Sequence, residues 1–370
     1  MMAKLKPVFL PLILASLVIA TGIGIHFSNK DIQGDILTKY MVNTFMVATE
    51  PFDEKDKRPA MMGLVGHGTG FTYKVEEDGS AIVVTNHHVI EKHLKRPDIT
   101  KVRLYMINRP WPYDAEVLAS DETVDVAVLK IKPHDDETWS ALEWNLDKSI
   151  PEGTEVTTLG HGLSQPYTLT KGIITGTDRW TARPLNFLMQ HSAIINVGNS
   201  GGPVWNNKGE VIGVNSMIIS PSSNRSGVAS WDGVAMAIPA WQAHYAIESL
   251  LERDFVLYSR IDFDTYEPTI EQVHKQDKEC NKGNKKKRSY AYVKVPEGAE
   301  HAKMMGLKND DIIVDVDGER VWGIASIAKG IINKRPGSVS LLGVLRDCEY
   351  IQLDYQLLEL ELLKKVPFPR

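Results

Sequence analysis

A serine is set among three glycines in the stretch Asn196-Val197-Gly198-Asn199-Ser200-Gly201-Gly202-Pro203. Glycine reaches backbone angles that other residues avoid, so a turn built from it lifts a side chain into the open and aims several N–H groups at one point. A hydroxyl nucleophile beside converging N–H donors is what acyl transfer needs. On its own the stretch is also what an ordinary Gly-rich turn looks like. Two upstream segments supply what a turn lacks. Thr85-Asn86-His87-His88-Val89 follows the apolar run Ala81-Ile82-Val83-Val84, which reads as a buried strand ending in a polar turn. A histidine there can serve as a general base near neutral pH. Asp125 heads a second buried strand, Val126-Ala127-Val128-Leu129. A lone acid at a strand start is ordinarily a turn or cap residue, and a lone histidine an ordinary surface or core group. The order His, Asp, Ser, however, is one of the chain orders of the catalytic triad, shared by proteases built from two β-barrels. The gaps of 37 and 75 residues leave room for His88 and Asp125 on one barrel and Ser200 on a second.

Elements must exist to position these groups, and the whole chain bounds them. At 370 residues it suits two or three domains. Hydrophobic residues at 43% and charged residues at 24% are ordinary for a globular protein, and a net charge of −5 gives no basic field for nucleic acid. Two cysteines, Cys280 and Cys348, exclude a disulfide-dense scaffold; their spacing leaves open a bridge or two free thiols. At the N-terminus Lys4 and Lys6 precede the apolar stretch Pro7 to Ile25, near the length that spans a bilayer. The lysines predict a cytoplasmic N-terminus with the remainder exported. The alternative is a cleavable signal peptide, with Val18-Ile19-Ala20 as the small-residue site. Asn224-Arg225-Ser226 fits a glycosylation pattern and is given no role.

Residues 31–245 read as short valine- and isoleucine-rich strands between turns: Ile82–Thr85, Val102–Ile107, Val126–Ile131, Val156–Leu159, Gly172–Ile174, Ile194–Asn196, Val211–Val214 and Val234–Ile238. Helical signals there are sparse, and such a pattern suggests barrels or a sandwich. Pro239 opens a helix over Ala240–Leu251. The stretch 264–289 is polar and charged. Its run Lys285-Lys286-Lys287-Arg288 is a solvated stretch or, alternatively, a contact for anionic lipid. Residues 290–360 form a second compact unit with strands at Ala291–Val295, Ile312–Val316, Val339–Leu345 and Ile351–Leu357 and a helix at Ile324–Asn333. The resulting division is 1–30, 31–252 and 253–362.

From about residue 35 to residue 360 the chain resembles the HtrA family of serine proteases, most closely its membrane-anchored, DegS-like branch. The motifs are Gly68-Thr69-Gly70-Phe71, Thr85 to Val89, Asp125-Val126-Ala127-Val128-Leu129-Lys130, Gly172-Ile173-Ile174, Asn196 to Pro203 and Ala237-Ile238-Pro239-Ala240. The resemblance implies a mainly β chain: a trypsin-like, chymotrypsin-fold double β-barrel over 31–252, then one PDZ domain over 253–362. The run Gly306 to Gly318 looks like the PDZ pattern GLxxGDxIxxxxG, with Asp310 where the family has glycine. Val197 stands where the family has proline, His191-Ser192 replaces a Thr-Asp pair, and Gly160-His161-Gly162-Leu163-Ser164 stands for a GNPFG-like loop. The family also implies a homotrimer.

Carried over, the resemblance makes Ser200 the nucleophile, His88 the base and Asp125 its orienting acid, with the N–H groups of Gly198 and Ser200 as oxyanion hole. His87 reads as structural. No metal or cofactor is expected, because His87 and His88 have no further ligands at a fitting spacing. Ile194 and Ile195 should line the pocket for the residue before the cleaved bond, with Ser216, Met217 and Ile218 opposite. Those residues offer no charge, so cleavage after small or medium apolar residues is expected. In the second unit, Ser259-Arg260-Ile261-Asp262-Phe263 matches the carboxylate-binding strand. There an added peptide strand would be held by its C-terminus, and Asp262 would repel that carboxylate. The function expected is that of an inner-membrane endopeptidase facing the periplasm, cutting misfolded or regulatory proteins and switched by C-terminal peptides. The alternatives are a catalytically silent PDZ-bearing scaffold and a soluble periplasmic enzyme freed by signal cleavage.

Overall fold

The computed structural model describes residues 34–370 apart from 52–66, 107–108, 110, 135–136, 163–164, 181–186, 220–233, 281–288, 290 and 361–370. The N-terminal segment 1–30, the Asn224 pattern, Leu163-Ser164 and the basic run 285–288 therefore lie outside the described residues. Among the described residues no helix is long and apolar enough to cross a membrane.

A helix at 34–42 (α1) leads into the first barrel. Its strands are β1 (Thr44–Pro51), β2 (His67–Val75), β3 (Ala81–Thr85), β4 (Thr100–Tyr105), β5 (Tyr113–Asp121) and β6 (Val126–Ile131). They run in the order β1-β2-β3-β6-β5-β4 and close where β4 pairs antiparallel with β1. Inside are Phe45, Val47, Val83, Leu104, Leu129 and Ile131, branched and aromatic side chains that fill a pleated wall. Closure leaves no open edge.

A short strand β7 (Glu143–Trp144) precedes the second barrel. The latter comprises β8 (Glu155–Gly160), β9 (Thr168–Trp180), β10 (Phe187–His191), β11 (Pro203–Trp205), β12 (Glu210–Ile219) and β13 (Val234–Pro239). The order β11-β8-β9-β10-β13-β12 returns to β11, so this sheet also closes, with β7 added in parallel on β12. Val156, Ile174, Met189, Val204 and Ile212 form its interior. A larger cluster joins the two, with Phe71, Val84 and Val126 from the first barrel against Leu159, Val214 and Ile238 from the second. This chymotrypsin-like double barrel has a seam, and all three candidate site segments end there.

Two local expectations need correction. The polar segment after β3 is not a turn but a helix, α2 (His87–Lys95), which buries Val89 and Ile90 under the barrel. Nine residues carrying two buried positions give too little periodicity to be read from sequence. Ile194–Asn196 is not a strand; the chain there is irregular, and Thr170 Oγ1 donates to the Ile194 carbonyl at 2.8 Å.

Helix α3 (Ala240–Arg253) starts after Pro239 as expected and ends with Asp254 left-handed at φ 65°. The second unit follows. Its elements are β14 (Ser259–Arg260), β15 (Asp264–Tyr266), α4 (Ile270–Lys275), β16 (Tyr292–Lys294), α5 (Glu300–Met304), β17 (Ile312–Val316), β18 (Glu319–Arg320), α6 (Ile324–Ile331), β19 (Val339–Arg346), β20 (Glu349–Gln356) and β21 (Leu358–Glu359). Its main sheet runs β15-β16-β17-β19-β20, and β14 pairs with β21. Phe263, Val293, Ile313, Leu342, Val344 and Tyr355 make a core of its own. Asp310 adopts φ 67°, the left-handed conformation that explains a family glycine at that place.

Within the polar stretch, residues 270–280 are helical. Thr269 and Gln272 form a capping box on α4, and a π-helical turn carries on to Cys280. Cys280 is disulfide-bonded to Cys348 in the β19–β20 turn, which resolves the question the spacing left open. The bridge closes a span of 68 residues. The second unit is also bolted to the first. Ile332 packs into the inter-barrel cluster, Lys329 pairs with Asp178 at 2.7 Å, and Tyr258 donates to Asp121 at 2.7 Å.

Replacing both cysteines by serine should lower the unfolding free energy of the second unit by about 2–4 kcal/mol, the usual effect of opening a loop of this size. Denaturant unfolding under oxidising conditions measures it; an unchanged midpoint would contradict the bridge.

Candidate active site

His88 stands in the first turn of α2. Its ring Nδ1 lies 3.0 and 2.9 Å from the two oxygens of Asp125, and its backbone N–H donates to Asp125 Oδ1 at 3.1 Å. Asp125 is fully buried and holds φ 68° in the turn before β6, a conformation aspartate tolerates better than most residues. Asn86 Nδ2 donates to the Asp125 carbonyl at 2.9 Å, so the strand end that carries the base also ties down the backbone of the acid. A buried carboxylate is acceptor-only and needs such donors.

Ser216 supplies one more. Its Oγ donates to Asp125 Oδ2 at 2.7 Å. The Ser216 carbonyl in turn accepts from Ser200 Oγ at 3.1 Å. One residue of β12 thus touches both the acid and the serine. Among the described residues no hydrogen bond joins Ser200 Oγ to His88. Apo sites often show such bonds long or unmade.

The Ser200 turn is held from both barrels. Thr69 N–H donates to the Ser200 carbonyl at 2.7 Å, Gly201 N–H to Asn215 O at 2.8 Å, and Asn215 N–H to Gly202 O at 2.9 Å. Gly201 has φ 85°, and a Cβ there would lie 2.1 Å from the Thr69 carbonyl, so only glycine fits. Among the described residues the N–H groups of Gly198 and Ser200 donate to no protein acceptor. The arrangement combines an imidazole oriented by a carboxylate, a hydroxyl, and two uncommitted amides.

Ile194 is 70% exposed, Met217 is half-buried and Ile218 lies at the surface, whereas Ile195 is only 8% exposed. Ser216, expected on the pocket wall, turns its hydroxyl inward to Asp125, which needs a donor, while its carbonyl faces Ser200 Oγ. His87 Nδ1 meets Ser120 Oγ at 3.1 Å, away from the Asp125 contact.

In the second unit, Ser259 and Arg260 pair with Glu359 and Leu358, and Asp262 N–H donates to the Tyr355 hydroxyl at 3.2 Å. The Asp262 carboxylate accepts from the His301 and Ala302 N–H groups at the start of α5. It also accepts from Tyr355 Oη at 2.6 Å, so the Asp262 side chain is turned to the start of α5 and to β20.

Two histidines beside the site are deeply buried. Burial, with repulsion from His67 second, pushes His161 down to about 3. Burial pushes His191 down to about 4 against a raising hydrogen bond from Asn215. The contacts of His161, Thr69 and the Ser216 hydroxyl have no local signal in the chain beyond the place of the first two in Gly160 to Ser164 and Gly68 to Phe71.

Because the folded pKa values lie below the unfolded value near 6.5, the unfolded chain binds more protons as pH falls. Their stabilising contribution is complete above pH 6.5 and is lost progressively below it. Between pH 6.5 and 5, unfolding free energy should fall by about 1.4 kcal/mol per pH unit for each imidazole once the unfolded ring is fully protonated. Chemical denaturation across that window checks this, and a flat profile would contradict the burial of both rings.

A trypsin-like peptidase domain matches residues 68–214. A probable periplasmic serine endoprotease DegP-like of Bartonella henselae is 29% identical over 309 residues, covering 83% of this chain and 56% of that protein. One from Brucella suis is 31% identical, covering 78% and 52%, and the serine protease Do-like HtrA of Bacillus subtilis is 30% identical, covering 69% and 55%. The chain thus spans about half the length of the curated relatives it matches. Among solved structures, the HtrA-type protease AlgW with tripeptide superposes with a TM-score of 0.63 at 21% identity, covering 90% of this chain and 98% of that one. This likeness extends through both units of the fold. With its peptidase domain, its double barrel and these relatives, the chain belongs to the HtrA family.

Proposed function

We propose that the chain is a serine endopeptidase of the periplasm. The observation that carries this is the placement of His88 against a buried Asp125 that also accepts from Ser216, whose carbonyl in turn accepts from the Ser200 hydroxyl. In the working state Ser200 Oγ turns from the Ser216 carbonyl to His88 Nε2. His88 takes the hydroxyl proton as Oγ attacks the peptide carbonyl, then gives it to the leaving amine. Asp125 keeps the proton on Nδ1 and stabilises the charged ring. The Gly198 and Ser200 N–H groups receive the developing oxyanion. Water, activated in turn by His88, releases the acyl group and regenerates the hydroxyl. No cofactor takes part in these steps.

Ile194, Ile195, Met217 and Ile218 carry no charge, which supports cleavage after small or medium apolar residues. The substrates are misfolded or regulatory proteins. We assign residues 253–362 to a single PDZ domain that takes C-terminal peptides along Ser259 to Phe263, and residues 1–30 to a membrane anchor. The unit's own core and the left-handed Asp310 within the PDZ-like pattern support the first assignment.

Wild-type protein should cleave casein, and Ser200→Ala should lose at least about 10⁴-fold of that rate. A scaffold without catalysis would show no difference between the two. A peptide library should return apolar residues before the cut bond; cleavage after arginine would refute the pocket assignment.

A further inference from the structure

Behind the Ser200 turn lies a buried polar cluster that the chemical steps above do not use. Thr69, in β2, is fully buried. Its Oγ1 donates to the Gly198 carbonyl at 2.7 Å. The His161 backbone N–H donates to the same Oγ1 at 3.1 Å, and His161 Nδ1 lies 3.2 Å from it. His67 Nε2 is 3.2 Å from the His161 carbonyl. A threonine hydroxyl has one proton and two lone pairs. The proton goes to Gly198, the shortest of these contacts, so His161 must donate through Nδ1–H. Its Nε2 is then a bare acceptor, buried and without a partner. Every valence of the hydroxyl is used in a single arrangement.

That arrangement fixes the turn. The Gly198 carbonyl and the Asn199 N–H belong to one peptide plane; Thr69 holds its oxygen, and Asn196 O accepts its N–H at 3.0 Å. The next plane is held through the Asn199 carbonyl by Gly202 N–H at 3.0 Å. Gly198 itself, at φ 104°, is pressed against the same loop: a Cβ on it would lie 2.3 Å from the His161 carbonyl. The Ser200 N–H lies on the second of these pinned planes, and the Gly198 N–H is carried by the adjoining plane, joined to the first at the Gly198 Cα.

We propose that Thr69 is a positioning residue for the oxyanion donors at Gly198 and Ser200, and that the buried His161 imidazole sets the direction in which the Thr69 hydroxyl points. This rests on the endopeptidase reading. Neither side chain touches substrate. Loosening the donors weakens binding of the charged transition state far more than that of the neutral substrate, so the loss falls on kcat and spares KM.

The test is hydrolysis of an apolar-site peptide with kcat and KM separated. Thr69→Val should lose about 100-fold in kcat with KM held within about twofold, while Thr69→Ser, which keeps the hydroxyl, should stay within about fivefold of wild type. His161→Leu removes the ring donor together with the unpartnered nitrogen, so it should melt no lower than wild type yet turn over about 10-fold more slowly. A purely structural residue would not pair retained stability with slower chemistry. Thr69→Val with kcat within about threefold of wild type, a Thr69→Ser as slow as Thr69→Val, or a loss carried by KM would each overturn the proposal. Should Thr69→Val fail to fold, an unaltered kcat in His161→Leu overturns it instead. Wild type unable to hydrolyse the peptide would remove the endopeptidase reading, and the proposal with it, before any variant is compared.

Discussion

A carboxylate removed from water is the constraint around which the site is built. Asp125 is fully buried, and a carboxylate there is tolerable only if donors from the protein replace the solvent it lost. Those donors come from distant parts of the chain: the backbone and ring of His88 at the start of α2, and the hydroxyl of Ser216 on β12 of the other barrel. The two barrels must therefore meet at this point, and the inter-barrel cluster of Phe71, Val126, Leu159 and Val214 is what brings them there. The imidazole is oriented as a consequence of satisfying the acid.

The same seam governs the serine. Its turn is stitched to β12 through Asn215 and to β2 through Thr69, so neither barrel alone can hold it. The second unit reaches this region too. Asp121, four residues before Asp125, accepts from the Val124 N–H and from Tyr258 at the threshold of that unit. The turn that presents the acid thus lies between two units that share a buried contact through Ile332.

Much of this was legible in the chain because local chemistry and tertiary demand agree. Alternating and continuous valine-isoleucine runs mark β3, β6 and β12; Pro239 marks the start of α3; the glycines around Ser200 mark a turn only glycine can make. The failures have physical causes. α2 is too short to show a helical period, and Ile194–Asn196 has strand-like residues but no partner strand. Nothing local reveals that α5 will place amides in front of Asp262. The cysteine pairing and the inward turn of Ser216 depend on contacts across 68 and 91 residues, which spacing does not encode. The role of His161 stayed hidden for the same reason: its partner Thr69 lies 92 residues away.

The central claim is that His88, oriented by Asp125, activates Ser200. Covalent labelling by a fluorophosphonate, located by peptide mass spectrometry, tests it most directly. Activation by His88 predicts a single adduct on Ser200 whose formation slows by at least about 10³-fold in His88→Ala. An absence of labelling in the wild type, or an undiminished rate in His88→Ala, would contradict it.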